Sequence, residues 1–309
     1  MKKLICLIMA LLMIFITAGC NYSTSNTDEK LSIVAVSFPE YDFARAVAGD
    51  LAEIKMLIPP AGETHGYEPT VSDIKAVSDC DLFIYTGGES DIWTEKLIKS
   101  SGNKKLITFA MSDYTEHICT DDHDHNNEHS HDKFTFDEHV WTSPKNAIVI
   151  VNAIKDTLSE IDVENKKAFE ENAKTYCEKL TKLDKDIRAI TENTDKYTLV
   201  FGDRFPLTYF SESYNLKYLA AFPGCSEDTE ASASTVAMLI DYVKENKIPV
   251  VFINELSNTA IAEQIAKETE AEVRTFYSCH KVSKDDFESG QTYIDIMSRN
   301  IENLDIALR

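Results

Sequence analysis

Residues 31–60 read LSIVAVSFPEYDFARAVAGDLAEIKMLIPP. Leu31 to Phe38 is a short β-rich run, Tyr41 to Asp50 has helical spacing, and Ile54 to Ile58 returns to the β pattern. A strand, a helix and a second strand in so short a span form a βαβ unit, which places the strands parallel and a helix over the sheet. The alternation continues outward, with strands expected at Asp81 to Thr86 and Lys105 to Ala110 and helices at Thr70 to Ser78 and Asp91 to Ser100. It then starts again. Strands are expected at Tyr197 to Phe201, Lys217 to Phe222, Pro249 to Asn254 and Glu272 to Tyr277. Helices are expected at Pro206 to Tyr214, Ser234 to Asn246, Thr259 to Glu270 and Thr292 to Leu308. Two such sets predict an α/β chain of two lobes, each with a mainly parallel sheet: an N-terminal lobe over residues 31–162 and a C-terminal lobe over residues 194–309.

Between the sets the pattern changes, and from Lys145 to Phe201 there is neither Gly nor Pro. Ser143-Pro144 supplies a helix start, with Ser as cap and Pro in the first turn. After a helix to about Ser159, Phe169, Tyr176, Leu180, Leu183, Ile187 and Ile190 recur at spacings of three, four and seven. They mark one face of a helix of about 28 residues, roughly 42 Å long at 1.5 Å per residue. Over residues 163–193 it is expected to join the lobes stiffly; a helical hairpin packed on one lobe is the alternative.

The chain has 309 residues, 43% of them hydrophobic and 27% charged, with a formal net charge of -21. That length fits two lobes plus a leader. An acidic surface argues against nucleic acid, because phosphate binding needs clustered Lys and Arg. Lys2 and Lys3, the unbroken apolar run Leu4 to Ile16, and Thr17-Ala18-Gly19-Cys20 read as a secretory signal over residues 1–20. The run is short of the ~20 residues that span a bilayer. Its ending resembles a bacterial lipobox, with Thr17 where Leu is usual, so Cys20 is the expected lipidation site and residues 21–30 a polar tether. The remaining cysteines include no CxxC pair, which argues against a cysteine-only zinc site. Cys225 and Cys279 are the pair to test for a disulfide.

The histidines carry the chemistry, and there are 8. His117, His123, His125, His129 and His131 fall in an acid-rich stretch, residues 113–138, that cannot build a core and is expected to be a mobile surface loop gathering metal weakly. His65, His139 and His280 remain. A lone histidine is more often structural, but each of these three follows the carboxyl end of an expected strand, the edge where α/β sheets bind ligands. Two come from the first lobe and one from the second, so they converge if the lobes face each other. Three imidazoles and an oxygen suit zinc. Asp203 and Glu255, also beyond strand ends, could supply the oxygen, as could water, and Glu63 could orient His65.

The stretch Ile58-Pro59-Pro60-Ala61-Gly62-Glu63-Thr64-His65-Gly66-Tyr67-Glu68-Pro69-Thr70 resembles the first metal-ligand motif of the zinc and manganese solute-binding proteins of ABC transporters. Asp137-Glu138-His139-Val140-Trp141-Thr142-Ser143-Pro144 resembles their second motif, and Phe276-Tyr277-Ser278-Cys279-His280 aligns with their last. The resemblance covers essentially the whole mature chain. It implies two lobes joined by a rigid helix, one metal in the cleft between them, and delivery to a membrane permease by a monomeric, lipid-anchored carrier on the outer face of the cytoplasmic membrane. Two positions depart from the pattern. The third motif's His or Glu, five residues before a Tyr-Phe pair, falls here on Arg204, which cannot ligate because it stays protonated. Asp203 beside it is the replacement the resemblance suggests. The last motif's usual Asp is His280. The exchange keeps a nitrogen-rich set and predicts zinc over manganese.

Two other classes compete: a zinc hydrolase, which could share a three-histidine site, and a surface adhesin. The sequence has no HExxH, no Walker motif and no GxGxxG. A Gly87-Gly88 pair after a strand reads as a plain turn.

Overall fold

In the computed structural model, residues 30–64, 66–88, 91–118, 136–222, 224 and 231–309 are described. The strands of the first half are β1 (Leu31–Ala35), β2 (Ala52–Met56), β3 (Leu82–Tyr85) and β4 (Ile107–Ala110). Those of the second are β5 (Thr198–Phe201), β6 (Lys217–Ala220), β7 (Val250–Asn254) and β8 (Glu272–Phe276). All strand pairs are parallel, in the orders β2-β1-β3-β4 and β6-β5-β7-β8. Every strand expected from sequence is present: β1 ends three residues early, because Ser37 caps the following helix, β2 starts and ends two residues earlier than expected, and the others are a residue or two shorter at one or both ends. The two sheets repeat one topology, and each reverses direction of winding beside its first strand, between β1 and β3 and between β5 and β7.

The helices are α1 (Phe38–Ala48), α2 (Val71–Asp79), α3 (Ile92–Ser101), α4 (Pro144–Ile161), α5 (Lys166–Thr191), α6 (Thr208–Tyr214), α7 (Ala233–Asn246), α8 (Ala260–Glu268), α9 (Lys284–Glu288) and α10 (Tyr293–Leu308). Among these, α9 had no sequence expectation; it is a five-residue turn capped by Ser283 on the Asp286 N–H. Helix starts follow local chemistry. Ser37 with Glu40, Thr70 with Asp73, and Thr292 with Asp295 form reciprocal capping boxes at α1, α2 and α10.

Strand alternation assigns each residue to one of two cores. Ile33, Leu82 and Ile84 face a central core, while Val34 and Phe83 face a smaller one under α2 and α3. In the second half Leu199, Phe201, Val250 and Phe252 face the same central core, and Val200, Val251 and Ile253 face another under α7 and α8. The central core is therefore shared by both sheets, together with α1, α4, α5 and α10. Residues Leu31–Arg309 form one compact unit.

Helix α5 runs 26 residues and buries Phe169, Ala173, Tyr176, Leu180, Leu183 and Ile187 along one face, as the spacing predicted. It packs against α4, α1 and α10. A buried knot pins α5 and α10 to α1 around Asp42. Its Oδ2 accepts from Tyr176 Oη at 2.5 Å and from the Tyr293 N–H at 2.8 Å, while Oδ1 pairs with Arg45 at 2.7 Å. No helix of the described residues is long and apolar enough to cross a membrane.

Candidate metal centre

His139 follows β4 in sequence and immediately precedes a single 3-10 turn, Val140–Thr142, that leads through Pro144 into α4. The ring is 1% exposed. Asp137 Oδ1 accepts from both the His139 main-chain N–H and Nδ1, each at 2.8 Å. A carboxylate can only accept, so Nδ1 carries the proton and the lone pair sits on Nε2, the form that ligates a metal. Burial alone would raise the Asp137 pKa. The hydrogen bonds from His139, with one from Thr208, outweigh it and hold the carboxyl below its ordinary value. The sequence reading gave Asp137 no role, although a carboxylate two residues before a candidate ligand was the available signal.

His280 sits beyond β8, on a segment held from several sides. Cys279 before it has a φ of 60°, a left-handed conformation that is costly for a side chain with a Cβ and that turns the chain sharply at this point. Glu255, following β7, accepts from the Ser278 N–H and Ser278 Oγ at 2.8 Å and from the Lys281 N–H at 3.1 Å. Both Glu255 oxygens are thus engaged in fixing the loop. Burial pushes the Glu255 pKa up against these bonds. Trp141 Nε1 donates to the Ser278 carbonyl at 3.1 Å, which ties the first half to this loop. The rings of His139 and His280 meet edge-on with centroids 5.1 Å apart, and Trp141 lies 5.4 Å and 5.7 Å from them.

Asp203 follows β5 and is 7% exposed. Its Oδ2 accepts from the Asn254 N–H at 2.9 Å and from Asn254 Nδ2 at 3.0 Å. Asn254 Nδ2 also donates to the Arg204 carbonyl at 2.8 Å. Among the described residues the hydrogen bonds to the Asp203 carboxylate fall on Oδ2. Asp203 and Asn254 stand at the point where the second sheet reverses its winding, where α/β folds place ligands.

Asp203, Arg204, His139, His280, Asn254 and Glu255 line one cavity of about 50 Å³, room for an ion with little water. Glu63 and Lys281 line it too and pair at 2.5 Å across the two halves. His65, Cys20 and Cys225 lie outside the described residues, as do residues 119–135 of the acid-rich stretch. Among the described residues no three His, Cys, Asp or Glu side chains form a metal-holding group. The structure therefore brings His139, His280 and Asp203 to one cavity, and the expected role of Glu63 toward His65 falls outside it. His117, which is exposed, stacks on Phe136 with centroids 3.9 Å apart, and its Nε2 lies 3.0 Å from the Ser112 carbonyl. Cys279 is fully buried, with Sγ 3.9 Å from the Tyr293 carbonyl.

A family model described as zinc-uptake complex component A, periplasmic, matches residues 33–307. The zinc-binding lipoprotein AdcA of Streptococcus pneumoniae (strain ATCC BAA-255 / R6) is 33% identical over 309 residues, covering 98% of this chain. The chain spans 60% of the length of that relative. The high-affinity zinc uptake system protein ZnuA of Bacillus subtilis is 31% identical over 288 residues, covering 91% of this chain and 89% of its own. A crystal structure of the Zn(II)-bound ZnuA-like domain of S. pneumoniae AdcA aligns with a TM-score of 0.75 at 31% identity, over 91% of this chain and 99% of that one.

Proposed function

Since the chain belongs to the zinc-uptake complex component A family, we propose that it is an extracytoplasmic carrier that captures zinc in the cavity between its two sheets and delivers it to an ABC-transporter permease. The observation that carries this reading is His139: a buried imidazole with Nδ1 donated to Asp137, its ring 5.1 Å from that of His280. His65, His139 and His280 are the proposed nitrogen ligands and Asp203 Oδ1 the oxygen. Neutral imidazoles with one carboxylate suit tetrahedral zinc, whereas manganese favours oxygen-rich sites of higher coordination.

The remaining parts of the proposal rest on sequence. Residues 1–20 are a signal, Cys20 carries lipid on the outer face of the cytoplasmic membrane, and residues 21–30 are a tether. Lobes over residues 31–162 and 194–309 are joined by the helix of residues 163–193, and the carrier acts as a monomer. Support for a carrier over a zinc hydrolase comes from Glu255: both of its oxygens are taken by the His280 loop, so it does not serve as a base.

The test is elemental analysis of the purified, untagged mature protein together with competition titration of zinc against manganese. One tight zinc per chain is expected, preferred over manganese by at least about two orders of magnitude in line with the Irving–Williams order. Manganese matching zinc, or no tight zinc, overturns the reading. A Cys20→Ala protein should lose both lipid labelling and membrane retention.

A further inference from the structure

His280 stands where the motif this chain resembles usually has Asp, and its ring meets a residue of the other half. Thr64 Oγ1 lies 2.5 Å from His280 Nε2. Thr64 is 5% exposed, and its contact with the half-buried His280 is partly buried. Its segment is clamped to the His280 loop by two further links. The Ala61 N–H donates to the Val282 carbonyl at 2.8 Å, and Lys281 Nζ meets Glu63 Oε2 at 2.5 Å. Glu63 Oε1 in turn accepts the Thr64 N–H at 3.1 Å. The Thr64 hydroxyl is thus placed by a network that spans both halves.

A neutral imidazole has one N–H and one lone pair, and which nitrogen carries which is set by its hydrogen-bond partners. At His139 the outer partner is Asp137 on Nδ1, which leaves Nε2 for the ion. At His280 the contact with Thr64 is on the other nitrogen, Nε2. We propose that Thr64 is a positioning residue that accepts the His280 Nε2–H, holding the ring in the tautomer whose Nδ1 faces the zinc. The two histidines then ligate through opposite nitrogens. Thr64 immediately precedes His65 in the chain, so the contact couples the first-half ligand segment to the second-half ligand through one peptide unit. The inference rests on the zinc reading of the site, and it assigns a role that neither the ligand motifs nor the strand-end rule suggested.

Two measurements test it. Long-range proton–nitrogen NMR of the zinc-loaded, imidazole-labelled protein reports which nitrogen of each histidine binds metal. The proposal expects metallated Nδ1 with protonated Nε2 at His280, and the reverse at His139. Zinc competition titration of Thr64→Val and Thr64→Ser is the second. Outer partners of metal-binding histidines are worth about 10–100-fold in affinity. Thr64→Val should therefore bind zinc about 10-fold or more weakly, while Thr64→Ser, which keeps the hydroxyl, stays within about 3-fold of wild type. Metal-free urea unfolding of both variants guards against a folding defect. Zinc on Nε2 of His280, or a folded Thr64→Val that binds as tightly as wild type or tighter, overturns the proposal and makes Thr64 a competitor for the ligand nitrogen. Failure of the wild-type protein to bind zinc would instead remove the functional reading on which it stands.

Discussion

Removing Asp137 tests the best-defined part of the site. Asp137 Oδ1 holds both the His139 main-chain N–H and Nδ1 at 2.8 Å, and both residues are buried. In Asp137→Ala the ring loses the bond that selects its tautomer and the negative charge that strengthens its hold on a cation. Hydrogen bonds to charged groups contribute about 1.5–3 kcal/mol, and loss of an outer partner of a metal-binding histidine costs about 10–100-fold. The second range converts to about 1.4–2.8 kcal/mol, so two independent scales agree. Asp137→Ala should weaken zinc about 10–100-fold by competition against a chromophoric chelator. Asp137→Asn keeps an oxygen that can accept both bonds but has no charge, and it should fall between wild type and Ala. Because the alanine variant also leaves two buried N–H groups without an acceptor, its metal-free stability should drop, and urea unfolding separates that loss from the change in affinity. A folded Asp137→Ala protein with zinc affinity within about 2-fold of wild type would show that His139 is not a ligand held by this carboxylate.

Zinc affinity of the wild-type protein should fall steeply below about pH 6, because protons compete for imidazole at a reference pKa of about 6.5; isothermal titration at pH 5 and 7.5 checks this, and equal affinities would count against histidine ligation. Asp91 gives a second pH effect. Burial first, then the charge of Glu40 and to a lesser degree Glu138, raises its pKa to about 7, against N–H donation from Gly87 and Thr86. The folded state then binds more protons than the unfolded between about pH 4 and 7, so stability should decline as pH rises through that window and level off above it. Asp91→Asn keeps an acceptor for both N–H groups and should flatten the decline between pH 5 and 8 in urea titrations; an unchanged slope would refute the assignment. Deleting residues 121–131 while sparing His117, which stacks on Phe136, should reduce weakly bound zinc in equilibrium dialysis and leave the tight site intact; loss of the tight site would reject the collector role.

The strands and most helices were legible because parallel strands buried on both faces read as continuous apolar runs between turn residues, and because capping pairs such as Thr70 with Asp73 mark helix starts. The hydrophobic face of α5 was legible from Phe169 to Ile187, but the sequence could not show that this face joins a core shared by both sheets. Candidate ligands were legible from position, since strand ends define the binding edge. Their supports were not. Asn254 donating twice to Asp203, Glu255 holding the Ser278 to Lys281 backbone, and Thr64 meeting His280 are contacts between residues 23 to 216 apart in the chain. Periodicity reports which face a residue lies on, and carries no information about which distant polar group it meets there.

The repeated strand order explains why the two halves contribute differently. In the first sheet, the reversal of winding between β1 and β3 is filled by the protein itself. Glu40 Oε1 accepts from Thr86 Oγ1 at 2.6 Å, its Oε2 from Ser37, and Asp91 accepts the Thr86 and Gly87 N–H groups. A Cβ at Gly88 would sit 2.3 Å from Glu138 Oε2, so glycine is required there for the His139 segment to approach this cluster. With that position occupied, the ligands proposed from the first half fall on the segments beyond its outer strands: His65 in the sequence after β2, and His139 in the sequence after β4. In the second sheet the corresponding reversal holds Asp203 and Asn254, which line the cavity, with the bonds from Asn254 falling on a single oxygen of Asp203. On the proposed ligand set, one topology used twice would supply nitrogen from the outer strands of both halves, His65 and His139 in the first and His280 after β8 in the second, and oxygen from the centre of the second. An Asp203→Asn exchange, which removes the charge and keeps an oxygen, should accordingly weaken zinc less than His280→Ala, and the reverse order in a competition titration would break this division of labour.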